Sequence, residues 1–479
     1  MLSATAPLVS QHAPAPSRAS SRGVPSKIGK RPSLGGARGH RRVVVAPLTA
    51  IVAPDWATLD QLTAPIDVGT YNVRPKQVPS SSTDPSLPTS RNSAATDKRV
   101  LLYRDTNAWC PFCERVWLAL LEKDIPFDTV FIDLRNKPQW YLDMVPSKLV
   151  PAVRIDGELV VESRDILLAI EAAFPESTPL LPPAGTSERA RVEALMDLAD
   201  DSEKGVGSAG YRFLTGGGMF GGVRDESDVP KLRAAFEERL ESLESALAAA
   251  PHGGPFLGGA APSLADLMMA PSLERFAANL PAFRGFDLRA QPGLPRLAAW
   301  YDAMEARPSY STVRGDPGTH NVVVRKLFRL QAGAAGEAKP EEALGAGAGT
   351  GAGEAARKLV VNHEAVAADV VKNAGIGGDA VEVRAEVESA LRSLAARLAA
   401  VAGIEAPVAE AVAEVEEKAA PASGPPSAEQ KAAAARASAV AAATWAFMRQ
   451  RVSAPRDMSG AAASALRAAS LCAIAELDF

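Results

Sequence analysis

Between residues 98 and 174, apolar positions follow the periods of strands and helices in turn. Short apolar runs bounded by turn residues are typical of buried strands, and longer runs with apolar positions three and four apart are typical of helices. Strands are predicted at 98–103, 126–133, 151–155 and 158–161, and helices at 110–121 and 166–173. Asp156-Gly157 between the last two strands is a strong hairpin signal. The order β-α-β followed by β-β-α predicts a compact α/β domain over 98–180.

From residue 186 the pattern becomes helical throughout. One amphipathic helix is predicted over 229–249 and another over 294–306. Between them, Ser263 and Asp266 have the spacing of a capping box, in which two side chains bond each other's backbone N–H groups at a helix start. These features predict a second, all-α domain over 186–328.

Beyond residue 328 the chain changes composition again. A Gly/Ala-rich segment, 329–353, predicts a flexible linker, and 354–479 predicts an Ala-rich helical extension with an internal linker at 405–427. Spacings of four and three predict a helix-packing seam. Its residues are Val387, Leu391, Leu394, Leu398 and Val401. The seam is too short to indicate a coiled coil and would serve packing within the chain or against a second copy, so a homodimer is possible.

The N-terminal segment has the composition of a targeting sequence. No aspartate or glutamate precedes Asp55, whereas eight arginines and lysines do, among many serines, alanines and prolines. Such a basic, serine-rich, acid-free leader predicts an organelle transit peptide over 1–46, with a disordered basic tail as the alternative. The frequent Ser and Pro favour the plastid stroma over the mitochondrion. Residues 47–97 are predicted to form a linker or an arm along the surface.

Overall composition excludes several classes of protein. The chain has 479 residues, 47% of them hydrophobic and 23% charged, which excludes disorder of the whole chain. Lys and Arg total 52 against 56 Asp and Glu, a net charge of −4 that gives no electrostatic basis for binding nucleic acid. No run approaches the roughly 20 apolar residues of a spanning helix, so no membrane span is predicted.

The chemistry is concentrated in Cys110-Pro-Phe-Cys113, which follows a predicted strand and a short loop. Proline is favoured at the first position of a helix, which places Cys110 at the helix N-terminus. There the helix dipole and the unbonded N–H groups favour a thiolate, the nucleophile of disulfide exchange. Cys113 lies one turn further on and could resolve a mixed disulfide. The alternatives are inert buried thiols or half of a zinc site, but the chain has no second CxxC, so we predict no metal.

Two further motifs add candidate binding residues. Val150-Pro151 precedes a strand, where a cis proline would expose the backbone of Val150 to a peptide-like ligand; the alternative is an ordinary trans proline on an edge strand. Glu162-Ser163 opens a helix. Its free N–H groups could hold a ligand carboxylate while Glu162 meets an amine, or Ser163 could be only a helix N-cap.

Together these residues resemble a known family. Cys110-Pro-Phe-Cys-Glu-Arg115, Asn136-Lys-Pro-Gln-Trp140, Leu149-Val-Pro151 and Glu162-Ser163, at these spacings, look like the omega class of glutathione S-transferases. The lambda-class and dehydroascorbate-reductase relatives of plants are similar. The resemblance covers residues 98–315, with its specific motifs in the first 80 of them.

The resemblance implies a thioredoxin-like domain followed by an all-α transferase domain, with glutathione as cosubstrate. By position, Cys110 would attack a disulfide or form a mixed disulfide with glutathione. The implied binding residues are Phe112 and Lys137 along the tripeptide, Val150 before Pro151 at its cysteinyl backbone, and Glu162 with Ser163 at its γ-glutamyl end. The omega pattern usually has no cysteine at position 113, so a monothiol cycle and a dithiol cycle both remain open.

We therefore expect a glutathione-dependent thiol transferase that reduces mixed disulfides or dehydroascorbate, with a small disulfide or electrophile as its second substrate. Conjugation of glutathione to electrophiles is disfavoured, because conjugating enzymes place a hydroxyl where this chain has Cys110. Two alternatives belong to other classes. One is a non-catalytic binding protein, and the other is a redox sensor in which Cys110 and Cys113 form a regulatory disulfide.

Overall fold

The structure is a computed structural model, which describes residues 53–66, 99–217, 225–330, 348–419 and 427–477. The predicted transit peptide, 1–46, lies outside these residues, and so does most of the predicted arm, 47–97. Among the described helices, none combines the length and the apolar character that crossing a membrane requires. A short helix, α1 (Trp56–Thr63), lies within the segment predicted to be a linker or an arm.

The first domain is built on a mixed four-stranded sheet. Its elements are β1 (Val100–Asp105), α2 (Pro111–Glu122), β2 (Phe127–Ile132), α3 (Gln139–Met144), β3 (Ala152–Ile155), β4 (Glu158–Val161) and α4 (Ser163–Ala173). The strand order is β2-β1-β3-β4, with β1 and β2 parallel and the other pairs antiparallel. Leu102 and Val153 point into the core shared with α2 and α4, while Tyr103 and Ala152 pack with Tyr141 of α3 on the other face.

The sheet register brings three loops to one end of the sheet. Tyr103 of β1 is opposite Ala152 of β3, and Ala152 is opposite Val161 of β4. The chain segments that follow β1, precede β3 and follow β4 therefore all lie at the same end of the sheet. These are the segments that carry Cys110, Val150-Pro151 and Glu162-Ser163.

The second domain is all helical. It contains α5 (Ser187–Asp200), α6 (Val206–Thr215), α7 (Val229–Ala248), α8 (Leu264–Arg284), α9 (Pro295–Glu305), α10 (Pro308–Val313) and α11 (Pro317–Phe328). The predicted capping box is present at the start of α8, where the Asp266 carboxylate accepts from the Ser263 N–H at 2.8 Å. One hydrophobic core continues from the sheet through these helices. Arg115 links the domains, donating to the Met268 carbonyl at 3.0 Å and to Asp200 at 2.6 Å.

The remaining helices form a separate core. They are α12 (Ala348–Val361), α13 (His363–Asn373), α14 (Ala380–Ala399), α15 (Glu405–Ala419), α16 (Ala428–Arg451) and α17 (Gly460–Ala475), with a π-helical turn (Ala400–Ile404) between α14 and α15. The predicted seam residues Val387, Leu391, Leu394 and Leu398 are fully buried in this core. Leu59 of α1 belongs to it as well. The predicted order, an α/β domain, an all-α domain and a helical extension, is confirmed.

Two helices occupy stretches that the sequence analysis assigned to linkers. Helix α12 begins at Ala348, inside the predicted linker 329–353, and α15 occupies most of the predicted internal linker 405–427. Alanine and glutamate have high helix propensity. Pro407 is tolerated because Gly403, with φ of 95°, interrupts the preceding helix, so the proline lies in the first turn of a new one.

Candidate active site

Cys110 lies where the sequence analysis placed it, immediately before α2. It is the N-cap residue, with φ −66° and ψ 118°, and Pro111 is the first helical residue. The loop before it is held from two sides. The Trp109 N–H donates to Asp105 at 3.1 Å, and Arg275 of α8 donates to the Trp109 carbonyl at 2.6 Å. The α/β domain, through Asp105, and the all-α domain, through Arg275, therefore both hold the loop that precedes Cys110.

The two cysteines differ in burial and in protonation. Cys110 is half-buried and Cys113 is buried. A hydrogen bond from the Cys113 side chain, helped by the backbone N–H groups of Phe112 and Cys113, holds the pKa of Cys110 below its ordinary value. Burial raises the pKa of Cys113 well above its ordinary value, and the nearby Cys110 adds to the effect. The surroundings thus favour the thiolate form at Cys110 and the thiol form at Cys113.

Asp105, at the end of β1, is a member of the site that the sequence analysis missed. Its side chain is fully buried, and its Oδ1 has no hydrogen-bond partner among the described residues. An Oδ atom of Asp105 and the sulfurs of Cys110 and Cys113 lie within 4.8 Å of one another. The carboxylate charge raises the pKa of both cysteines. The available signal was a carboxylate just beyond the predicted strand 98–103 and five residues before Cys110.

The same three side chains offer metal-ligating atoms. Cysteine thiolates and aspartate oxygens both bind zinc, but structural zinc sites are almost always four-coordinate. The group found among the described residues supplies three ligands, Asp105, Cys110 and Cys113. It would therefore leave a tetrahedral ion one ligand short of a closed site.

Phe112 and Lys137, predicted to line a bound tripeptide, lie on the surface of the first domain. Phe112 follows Pro111 in α2 and is 50% exposed, with the Arg115 guanidinium 5.1 Å from the centre of its ring. The Lys137 ammonium donates to the Lys148 carbonyl at 2.6 Å. Lys137 thus connects the segment before α3 to the segment before Val150.

Of the two conformations considered for Pro151, the structure has the cis one at the Val150–Pro151 bond. Pro151 is buried, and Val150 before it is partly buried. The preceding residue, Leu149, is 58% exposed, and its carbonyl accepts from the Tyr141 hydroxyl at 2.6 Å.

The interpretation of Ser163 as a helix N-cap is wrong. Strand β4 remains paired up to Val161, so the turn into α4 is made by Glu162 alone, which adopts φ 65° and is the N-cap residue. Ser163 is the first helical residue and is buried. Its hydroxyl faces Arg115, whose Nη1 lies 3.5 Å away. The start of α4 nevertheless lies at the same sheet edge as Cys110 and Pro151.

Comparison with known families matches both halves of this site-bearing region. The model for the glutathione S-transferase N-terminal domain matches residues 109–173, and the model for its C-terminal domain matches residues 189–303. The relative "Glutathione S-transferase DHAR2" of Arabidopsis thaliana is 30% identical over 205 residues, which are 43% of this chain and 84% of the relative.

The chain belongs to the glutathione S-transferase family.

Other members of this family are similar to the same part of the chain. The chloroplastic transferase L2 of Arabidopsis thaliana is 31% identical over 47% of this chain and 68% of its own length. The omega-1 transferase of Mus musculus is 28% identical over 44% of this chain and 80% of its own length. The predicted resemblance to the omega class and its plant relatives is confirmed at family level, and family membership supports glutathione as the ligand.

Proposed function

We propose that this transferase is a glutathione-dependent thiol reductase in which Cys110 is the nucleophile. The observation that carries the proposal is the place of Cys110, a half-buried sulfur at a helix N-terminus, where the Cys113 side chain chiefly holds the pKa of Cys110 below its ordinary value. A thiolate exchanges with disulfides, whereas a thiol does not. The similar DHAR-named and omega-class transferases support this type of reaction at family level.

Glutathione would bind along the sheet edge that gathers the three loops. In this proposal Phe112 and Lys137 line the tripeptide, and the backbone of Val150 before Pro151 pairs with its cysteinyl residue. The N-terminus of α4, at Glu162 and Ser163, holds the γ-glutamyl carboxylate through its unbonded N–H groups. The register of β1, β3 and β4 supports this arrangement, because the segments that carry Cys110, Val150 and Glu162 leave the sheet at the same end.

The proposed cycle balances as two thiol–disulfide exchanges. The Cys110 thiolate attacks the glutathione sulfur of a mixed disulfide, that S–S bond breaks, and the substrate leaves as a thiolate that takes a proton from solvent. A second glutathione, as its thiolate, attacks the glutathione sulfur bound to Cys110. This step forms oxidised glutathione and regenerates the Cys110 thiolate. With dehydroascorbate, two glutathiones supply the two electrons and become oxidised glutathione.

Within this cycle we assign Cys113 to stabilising the thiolate rather than to resolving the adduct. Its side chain is only 2% exposed and its pKa is raised, so it remains a thiol and a poor nucleophile near neutral pH. Its hydrogen bond to Cys110 is the largest of the effects that lower the pKa of Cys110. This favours the monothiol cycle, with glutathione itself as the resolving thiol.

The proposal is tested by turnover of Cys110→Ser and Cys113→Ser with reduced glutathione and either hydroxyethyl disulfide or dehydroascorbate. We expect Cys110→Ser to lose at least about 1,000-fold in kcat/KM, because a serine hydroxyl is not ionised at neutral pH. Cys113→Ser is the matched control and should retain most of the activity. Full activity in Cys110→Ser would refute the assignment.

We also propose that the protein acts in the plastid. The basic, acid-free residues 1–46 support this, and the similar L2 transferase is named chloroplastic. A fluorescent fusion of the full chain should locate to plastids, and the same fusion lacking residues 1–46 should not. Location of the full-length fusion in mitochondria or the cytosol would contradict the proposal.

A further inference from the structure

The helical extension, residues 348–477, contacts the loop that precedes Cys110. We call residues 106–109 the cysteine loop. Arg456 lies between α16 and α17, and its Nη1 donates to the Asn107 side-chain oxygen at 3.3 Å. Its Nη2 donates to Asp457 at 3.1 Å, which steadies the guanidinium. The extension therefore contacts the cysteine loop three residues before the proposed nucleophile.

A partly buried ion pair fixes the extension at the start of α11. The Arg467 Nε of α17 donates to Asp316 at 2.7 Å, and Asp316 is the fully buried N-cap residue of α11. Arg467 also donates to the Val452 carbonyl at 2.5 Å, and the Ala454 N–H donates to Thr319 at 3.1 Å. The segment that carries Arg456 is thus held between α17 and α11.

The start of α11 is also connected to the cysteine loop through a second route, by way of α8. His320, one turn into α11, lies 2.6 Å from the Glu274 carboxylate of α8, and Glu274 also accepts from the Gly315 N–H at 2.9 Å. The next residue, Arg275, donates to the Trp109 carbonyl at 2.6 Å. The side chains that make these contacts, Glu274, Arg275 and His320, are all buried.

The two contacts flank a strained residue. Ala108 has φ of 58°, a left-handed conformation that is unfavourable for a residue with a Cβ. Asn107 is held by Arg456 and Trp109 by Arg275. Strained backbone persists where surrounding contacts enforce it, so the loop conformation that presents Cys110 depends on both contacts.

We propose that the extension positions the cysteine loop, and through it Cys110, with Arg456 and Asn107 as positioning residues. The inference rests on the proposed function in taking Cys110 as the reacting group. When the Arg456 contact is lost, the loop relaxes and Cys110 shifts from its N-cap position at α2, where the helix N-terminus favours the thiolate. The extension thereby adjusts the reactivity of a site to which it contributes no reacting atom.

The test is the pH dependence of Cys110 alkylation by iodoacetamide in the full chain, measured at Cys110 by tandem mass spectrometry. We expect Arg456→Ala to raise the pH midpoint by about half a unit, which lowers the thiolate fraction below that midpoint about threefold. Asn107→Ala should cause the same shift, and the double variant should add little, because the two changes remove one contact. Arg451→Ala is the matched control, since Arg451 pairs with Asp369 inside the extension.

A profile for Arg456→Ala that superimposes on that of the native protein would overturn the inference. So would an equal shift in Arg451→Ala, because that would indicate a general effect of loosening the extension. Alkylation needs neither glutathione nor turnover. A failed inference and a failed proposed function are therefore distinguishable: the first leaves the alkylation profile unchanged, and the second leaves Cys110→Ser active.

Discussion

Cys110 and Cys113 have the same side chain but different surroundings, because Cys110 is the half-buried N-cap of α2 and Cys113, one turn on, is buried. The Cys113 side chain is the largest cause that lowers the pKa of Cys110, and the backbone of Cys113 and Phe112 at the helix N-terminus lowers it further. Cys113 is enclosed by the core and donates. A hydrogen bond to the charged form of a group lowers the pKa of an acid, and burial raises it. These surroundings favour the thiolate at Cys110 and the thiol at Cys113, in line with the roles proposed for them.

This division predicts different effects of two substitutions at position 113. Cys113→Ala removes the hydrogen bond that contributes most to lowering the pKa of Cys110, so that pKa should rise towards its ordinary value. Cys113→Ser keeps a donor and should leave the pKa of Cys110 lowered. The thiolate absorbance at 240 nm, followed from pH 5 to pH 10, measures both. Equal titration of Cys110 in the alanine and serine variants would contradict the role assigned to Cys113.

At residue scale, the sequence indicates the nucleophile but not its surroundings. The position of Cys110 follows from local signals, a strand, a loop and a proline at the helix start. Asp105 and Arg275 reach the same loop from the end of β1 and from α8, and no local pattern encodes that meeting. The N-cap of α4, at Glu162 or Ser163, could not be predicted from local signals either. Whether Ser163 or Glu162 caps α4 depends on how far β4 stays paired with β3.

At the scale of elements, α8 depends on the carboxylate of Asp266 at its start. Burial raises the pKa of this carboxylate, although it accepts several hydrogen bonds. The donors are the Leu257, Gly258 and Ser263 N–H groups, the Ser263 hydroxyl and the Trp300 indole, at 2.7 to 3.1 Å. One side chain thus connects the start of α8, the turn before it and α9.

Asp266→Ala should accordingly destabilise the protein by at least about 3 kcal/mol, because several buried donors lose their acceptor together. Asp379→Ala is the matched control. Asp379 is an exposed N-cap that accepts from Val381 and Glu382, and its loss should cost about 1 kcal/mol. Urea unfolding followed by tryptophan fluorescence compares the two. A loss in Asp266→Ala no larger than in Asp379→Ala would show that α8 does not depend on this cap.

The capping box at Ser263 and Asp266 could be predicted because its signal is local, two side chains three residues apart. The helical state of 405–419 was missed because the sequence analysis placed a break between two helical stretches at 405–427. In the structure that break is confined to Gly403, and the alanines and glutamates that follow continue as helix. Glycine and proline indicate where a helix is interrupted, but they do not predict how many residues the interruption spans.

At the scale of the whole molecule, the chain combines a two-domain transferase with a helical extension that has its own core. The packing seam at Val387 to Leu398 could be predicted from its spacing, since burial of one helix face leaves a periodic signal. The docking of the extension onto the transferase domains could not be predicted. It depends on pairs such as Arg467 with Asp316 and Arg456 with Asn107, which are far apart in sequence and have no periodicity.

The measurement that tests the central claim most directly is mass spectrometry of the full chain incubated with oxidised glutathione, in native, Cys113→Ser and Cys110→Ser forms. If Cys110 is the nucleophile and glutathione resolves it, about one adduct per chain should form on Cys110, at equal yield in the native protein and in Cys113→Ser. Cys110→Ser should form no adduct at the site. An adduct that accumulates only in Cys113→Ser would show that Cys113 resolves it, and the absence of any adduct on Cys110 would refute the nucleophile itself.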